Sequence, residues 1–263
     1  NLSLRESCAE FSRNFIETQR SQFKRLGVLA DWEKEYRTMD PKYEAEILRT
    51  FADFVEKGLV YRSKKPIYWS IPCSTALAEA EIEYKDHVSP SIYVPFQLAD
   101  DQNTSIVIWT TTPWTLPANL AVAVHPREKY AKVQVAETFY WIGESLVDSF
   151  AKGCKFDVFV VVETCTGSDI AGQNCQHPFI DRLSPILEAE YVTMDSGTGC
   201  VHIAPGHGLD DYLTGLQHGL DVYCPIDDNG CYIQDDSMLD ELVGISVLEK
   251  STGCVANQKV LEI

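Results

Sequence analysis

The chain has 263 residues, and its 22 basic and 39 acidic side chains give a formal net charge of -17. Apolar residues make up 45%, enough for a sizeable core, so global disorder is excluded and one large or two small domains are expected. The acidity argues against a surface that wraps nucleic acid or anionic membrane by bulk electrostatics.

The charge is uneven along the chain. Residues 1–69 hold 13 Lys/Arg and 11 Asp/Glu, whereas the remainder hold 9 and 28. A near-neutral helical piece is therefore expected ahead of a strongly acidic body, with the division at 69/70. Residues 3–57 read as helical. Ser3 and Glu6 have capping-box spacing, and Leu4, Cys8, Phe11 and Phe15 recur on one face. Gly27 is placed to end that helix. Asp40-Pro41 starts a second, with an apolar stripe of Tyr43, Ile47, Phe51 and Phe54 that Gly58 closes. Both stripes are expected to be core contacts.

Beyond residue 66 the pattern turns to strands. Ile92, Val94, Phe96 and Leu98 alternate, and Ile106–Trp109 is a buried-strand run. Ala121–Val124, Tyr130–Ala136, Phe139–Ile142 and Phe156–Val162 are further strands, and Asp228-Asn229-Gly230 is a hairpin signal. A short helix is expected over Asp210–Leu216. The body is read as α+β, a closed or split β-barrel with rim helices. The nine Asp/Glu between His207 and Glu241, with no Lys or Arg among them, suit a solvated face better than a cation site. No run approaches the ~18 apolar residues of a membrane span, and no signal peptide is recognisable. Nine cysteines without a CxxC pair read as reduced thiols of a cytoplasmic protein. Starting at Asn1 and stopping at Ile263, the chain reads as a piece of a longer one.

Two segments carry chemistry. The first is Trp109-Thr110-Thr111-Thr112-Pro113-Trp114-Thr115-Leu116-Pro117-Ala118-Asn119. Its prolines stop a strand, and its threonine hydroxyls could orient a polar ligand or a water; a rigid turn packing its tryptophans is the plainer reading. The second runs from Gly197-Thr198-Gly199-Cys200 through His202, His207 and Asp210-Asp211 to Tyr212. A metal site on His202, His207 and Asp211 is conceivable, but HxxxxH matches no ligand spacing and no metal is expected. A serine-hydrolase elbow, a P-loop and a GxGxxG turn are all missing.

Taken together, the two segments closely resemble the editing insertion of isoleucyl-tRNA synthetases, in the class I catalytic domain. Thr38–Glu44, Lys57–Arg62, Lys65–Trp69 and Ala76–Tyr84 extend the resemblance over most of the chain. The valyl and leucyl sisters, which remain the alternative, carry an Arg in the threonine-rich loop and lack a His at position 202. The HIGH and KMSKS signatures of the activating site are absent. Some relatives have a zinc-binding Trp-Cys-x-x-Cys; here Ser70 follows Trp69 and Cys73 stands alone, so no zinc is expected.

The resemblance implies hydrolysis of mischarged Val-tRNA(Ile), with valyl-adenylate as a second candidate substrate, without a cofactor. ATP and Mg would serve only the parent enzyme's activating site. It implies that Asp211 binds the α-ammonium and that His202 rejects isoleucine by size. Thr110, Thr111 and Thr112, with Asn119, would hold substrate and aim the water. Trp114 would form the wall near the terminal adenosine. Asp210 is read as the helix cap and His207 as structural. The implied partners are the tRNA(Ile) 3′ end, the valine moiety and the rest of the synthetase, with a monomer expected and no membrane. A binding module that holds the acceptor end without chemistry, and a metal-dependent hydrolase, are the readings from other classes.

Overall fold

The computed structural model describes residues 2–249 and 253–263. They fall into two units, Asn1–Ser63 and Lys64–Ile263. The division precedes the expected 69/70, because Trp69-Ser70 already pairs with Thr75-Ala76 and the Trp69 indole donates to the Asp228 carbonyl at 2.9 Å.

The first unit holds α1 (Leu2–Arg25) and α2 (Pro41–Glu56). Both end in the same way. At α1, Gly27 N–H bonds Lys24 O and Val28 N–H bonds Phe23 O; at α2, Gly58 N–H bonds Val55 O and Leu59 N–H bonds Phe54 O. Gly27 and Gly58 hold φ of +77° and +69°, where a Cβ would be strained. Two expectations are corrected. Helix α1 already begins at Leu2, so Ser3 lies inside it rather than capping it. The apolar stripes are not core, since neither helix buries a residue and Phe11 and Phe51 stay 64% and 53% exposed.

The second unit contains, in chain order, β1 (Trp69–Ser70), β2 (Thr75–Ala76), β3 (Ile92–Leu98), β4 (Thr104–Thr110), β5 (Ala121–Val124), β6 (Lys129–Val135) and β7 (Thr138–Gly143). There follow α3 (Val147–Gly153), β8 (Val160–Thr166), α4 (Gly167–Ile170), β9 (Asn174–Gln176), β10 (Leu183–Glu188), β11 (Cys200–Ile203), α5 (Leu209–His218) and α6 (Val255–Glu262). Nine strands form one sheet in the order β11-β5-β10-β9-β3-β4-β7-β6-β8. Pairs β5/β10 and β4/β7 are parallel and the rest antiparallel, so the unit is α+β with a mixed sheet. The sheet curls until β11, at one edge, lies against β4. Tyr130 of β6 closes the curl by donating to Gly199 O at 2.6 Å. Phe96, Ile106, Ile108, Leu116, Val122 and Ile186 fill the interior.

Several strands depart from expectation for identifiable reasons. Strand β8 starts at Val160 because Phe156 is drawn into a ring cluster with Phe150, 5.7 Å between centroids. Strand β10 carries Pro185, which argues against a central strand. Its neighbours change there: residues 183–185 pair with β9 and 186–188 with β5. The expected hairpin keeps its turn, with Gly230 N–H on Asp227 O at 2.9 Å, but only isolated bridges flank it.

Candidate functional site

Strand β4 delivers the threonine-rich turn. Pro113 opens a 3₁₀ helix, Pro113–Ala118, at the position where its missing N–H costs nothing. The Thr110 hydroxyl accepts the Thr112 N–H at 3.1 Å and lies 3.3 Å from the Thr112 hydroxyl. Thr110 is buried, Thr111 half-buried and Thr112 exposed, so the three step outward from the sheet.

The turn is fastened from four distant places. The Trp114 N–H donates to Asn257 Oδ1 of α6 at 2.9 Å, and the Tyr232 hydroxyl donates to the Trp114 carbonyl. The Arg182 guanidinium donates to the Pro117 and Asn119 carbonyls at 3.2 and 2.7 Å while lying over the Tyr223 ring. Nε2 of His177 meets the Leu116 carbonyl at 2.9 Å, and Nδ1 accepts the N–H of Ile180 at 3.1 Å. Burial pushes the His177 pKa down to about 4, so the ring is neutral and donates to the carbonyl through Nε2–H.

Asn119 is fully buried. Its amide donates to Ala121 O at 2.8 Å and accepts the Ser184 hydroxyl at 2.6 Å. It thus pins the end of the turn to β5 and β10, and a direct hold on substrate is not where the structure puts it.

The second segment enters through a glycine turn. Gly199 has φ +71°, and a Cβ there would stand 2.6 Å from Met194 Sδ. Strand β11 then sets His202 beside Val122 of β5. His202 joins the two segments: its Nε2 is 3.0 Å from Thr115 Oγ1, which also donates to Thr112 O at 2.9 Å. Threonine has one hydroxyl proton and the carbonyl can only accept. Making both bonds therefore requires the Nε2–H tautomer of His202. Its Nδ1 is then a buried acceptor, and it has no partner. Burial, with His207 and His177 nearby, pushes the His202 pKa down to about 4.

His207 follows in a turn closed by its N–H on Ala204 O at 2.8 Å. Its ring meets Trp114 edge-on, 5.0 Å between centroids, and burial holds its pKa at about 4. Nε2 of His207 is buried and unpartnered. Helix α5 is capped by Gly208 and begins at Leu209, so the cap expected at Asp210 is displaced; Asp210 is exposed in the first turn.

Asp211 turns back from α5. One carboxylate oxygen accepts the Ala204 N–H at 2.9 Å and the other the Tyr191 hydroxyl at 3.4 Å. Burial raises its pKa from 3.8 to about 6, against the lowering effect of those bonds. It is a poorly solvated anion, ionised at neutral pH, at the end of the strand that carries His202. No described basic side chain pairs with it. The arrangement offers a carboxylate able to take a cation, threonine hydroxyls and two neutral imidazoles. Among the described residues, no three His, Cys, Asp or Glu side chains gather as a metal site would require.

Sequence reading brought forward the threonines, His202 and Asp211 but missed Thr115, His177, Arg182, Tyr191, Tyr232 and Asn257. Only Thr115 had a signal, its place in the threonine run.

The family model for class I tRNA synthetases (I, L, M and V) matches residues 2–242. The isoleucine–tRNA ligase of Petrotoga mobilis is 48% identical over 236 residues, 90% of this chain and 26% of its own length. That of Fervidobacterium pennivorans is 52% identical over 232 residues, 88% of this chain and 25% of its own. The chain thus spans about a quarter of these relatives. A solved editing domain of the P. knowlesi cytosolic leucyl-tRNA synthetase overlaps 60% of this chain and 64% of its own, at 15% identity and a TM-score of 0.39. On the family match, which covers nearly the whole chain, this protein belongs to the class I tRNA synthetases of the I, L, M and V group.

Proposed function

We propose that this chain is the editing region of an isoleucyl-tRNA synthetase and hydrolyses the ester of Val-tRNA(Ile). The observation that carries the reading is the meeting of the two sequence segments. His202 is bound to the threonine turn through Thr115, and Asp211 is bound to Ala204, two residues further along the same backbone. The isoleucine–tRNA ligase relatives supply the amino acid.

The chemistry needed is modest. One methylene supplies ~1–3 kcal/mol of discrimination, a limit for which isoleucine against valine is itself the standing example, so a second, smaller site must remove the error. Asp211 takes the α-ammonium by a charge-assisted bond. His202 closes the side-chain pocket against the extra methylene of isoleucine. The Thr111 hydroxyl has no partner among the described residues, which leaves it for water or the ester carbonyl. Trp114, braced edge-on by His207, offers a wall for the terminal adenosine. Water adds to the ester carbonyl, the ribose oxygen departs with a proton, and valine and tRNA are released.

No strong base stands in the site. His202 and His207 are neutral and poorly basic, and Asp211 is committed to the ammonium. Rate enhancement therefore comes from positioning, with the neighbouring ribose hydroxyl assisting proton transfer. The test is multiple-turnover hydrolysis of Val-tRNA(Ile) against Ile-tRNA(Ile) by this chain. Hydrolysis of the valyl ester alone supports the reading. Tight acceptor-end binding without turnover would make the chain a binding module instead.

A further inference from the structure

Beyond the residues that meet substrate, one side chain sits where it can decide how well Asp211 works. Ala204 N–H fixes only one carboxylate oxygen of Asp211. The terminal torsion of an aspartate is broad and roughly two-fold, so a single bond leaves the carboxylate free to swing about it. The second oxygen meets the Tyr191 hydroxyl, contributed by the segment between β10 and β11. Tyr191 is well placed for this. Its ring packs on the small cluster of Ala121, Ala123, Ala189, Val192 and Ile203, which backs β5 and β11. Thr214, one turn beyond Asp211 on α5, faces the same hydroxyl. Tyrosine has one proton to give, and here it goes to Asp211.

We propose that Tyr191 is a positioning residue of the editing site, holding the Asp211 carboxylate in the plane that receives the substrate ammonium. This role rests on the editing reading above. Two grips, Ala204 N–H on one oxygen and Tyr191 O–H on the other, use one lone pair of each oxygen and leave the other for the ammonium. The bond from Tyr191 also stabilises the charged carboxylate in a setting that otherwise disfavours it. The other ionisable neighbour is Asp210, which acts in the opposite sense.

The experiment is Tyr191→Phe, which keeps the ring in its cluster and deletes only the hydroxyl. Deacylation of Val-tRNA(Ile) is followed from pH 5 to 8 in the parent chain, Tyr191→Phe, Asp211→Asn and the double variant. The expected result for Tyr191→Phe is a fall in kcat/KM of about 2- to 12-fold, the worth of one ordinary hydrogen bond, because the contact is long at 3.4 Å. Its acid limb should move to higher pH, and a carbon-13 carboxyl titration should show Asp211 itself protonating at higher pH. In the Asp211→Asn background, deleting the hydroxyl should cost less than two-fold. A merely structural tyrosine would lower activity equally in both backgrounds and leave the acid limb in place. An active parent with an unchanged Tyr191→Phe profile refutes this role alone. A parent that does not turn over refutes the editing reading and this role with it.

Discussion

On the editing reading proposed above, Asp211 serves substrate at the expense of the fold, and Asp211→Asn separates the two. Burial moves the carboxyl from 3.8 to about 6. A folded-state pKa raised in this way means that protonation stabilises the fold. That stabilisation is complete below about 3.8 and is lost as pH rises through about 6. The full shift corresponds to ~3 kcal/mol at neutral pH, and the partial solvent contact of the side chain reduces it to about 1–2 kcal/mol. Asparagine keeps an oxygen for the Ala204 N–H and can donate its amide to Tyr191, so the geometry survives without the charge. The variant should therefore be more stable than the parent by about 1–2 kcal/mol at pH 7 and equal to it near pH 4, read by urea unfolding. Its deacylation of Val-tRNA(Ile) should fall by about 10- to 150-fold, the worth of ~1.5–3 kcal/mol in a charge-assisted bond. Full activity in the variant would show that Asp211 does not hold the ammonium. Lower stability at pH 7 would show that its charge is better solvated than the structure implies.

Further outcomes follow from the same site. His202→Ala should open the pocket so that Ile-tRNA(Ile) begins to be hydrolysed, while the Thr115–Thr112 bond keeps the turn in place; an isoleucyl ester that stays fully protected would rule out His202 as the size filter. The buried rings of His177, His202 and His207 take up protons only near 4 when folded but near 6.5 when unfolded. Stability present above 6.5 should therefore be lost as pH falls toward 4, with Asp211 offsetting one of the three protons, at ~2.7 kcal/mol per pH unit near pH 5; unfolding free energies that stay flat from pH 6.5 to 5 would contradict this. Isolated tRNA(Ile) should bind this chain weakly, and sub-micromolar affinity at physiological salt would overturn that expectation.

How much of this was legible in the sequence depends on the range of the interaction. The Gly27 and Gly58 helix ends and the alternation of β3 are set within a few residues, and reading along the chain finds them. The stripes of α1 and α2 show apolar periodicity but not what covers it, and both helices leave them exposed in their own unit. Strand β10, which the alternation along the chain did not bring forward, carries Pro185 where its partner changes from β9 to β5, a non-local arrangement that local pattern does not reveal. The site divides along the same line. Thr110, His202 and Asp211 stand in unusual local patterns. The residues that hold the turn reach it across separations of 61 (His177 to Leu116) to 143 residues (Asn257 to Trp114), and nothing near them in sequence marks them. Asn119 shows the converse error: it lies within the motif, yet its place in the fold gives its amide to β5 and β10.

The net charge acquires a sharper meaning once the cations are located. Of the few Lys and Arg after residue 69, Arg127 pairs bidentately with Glu190, Lys132 lies 3.7 Å from Asp101 and over Phe139, and Lys259 pairs with Glu262. Arg182, the guanidinium nearest the threonine turn, is spent on backbone carbonyls and a tyrosine ring. The turn itself therefore offers hydroxyls and rings but no guanidinium with which to grip a phosphate backbone. On the editing reading proposed above, a site of this kind would select a small aminoacyl group by shape and by one half-buried carboxylate, and would draw little affinity from the polyanion attached to it. That division suits proofreading. If this site gripped the tRNA strongly, it would compete with aminoacylation for the same 3′ end, whereas a weak site that recognises the wrong amino acid acts only when the end is brought to it. On that reading, the acidic body would keep discrimination at the site and leave delivery to whatever else binds the tRNA.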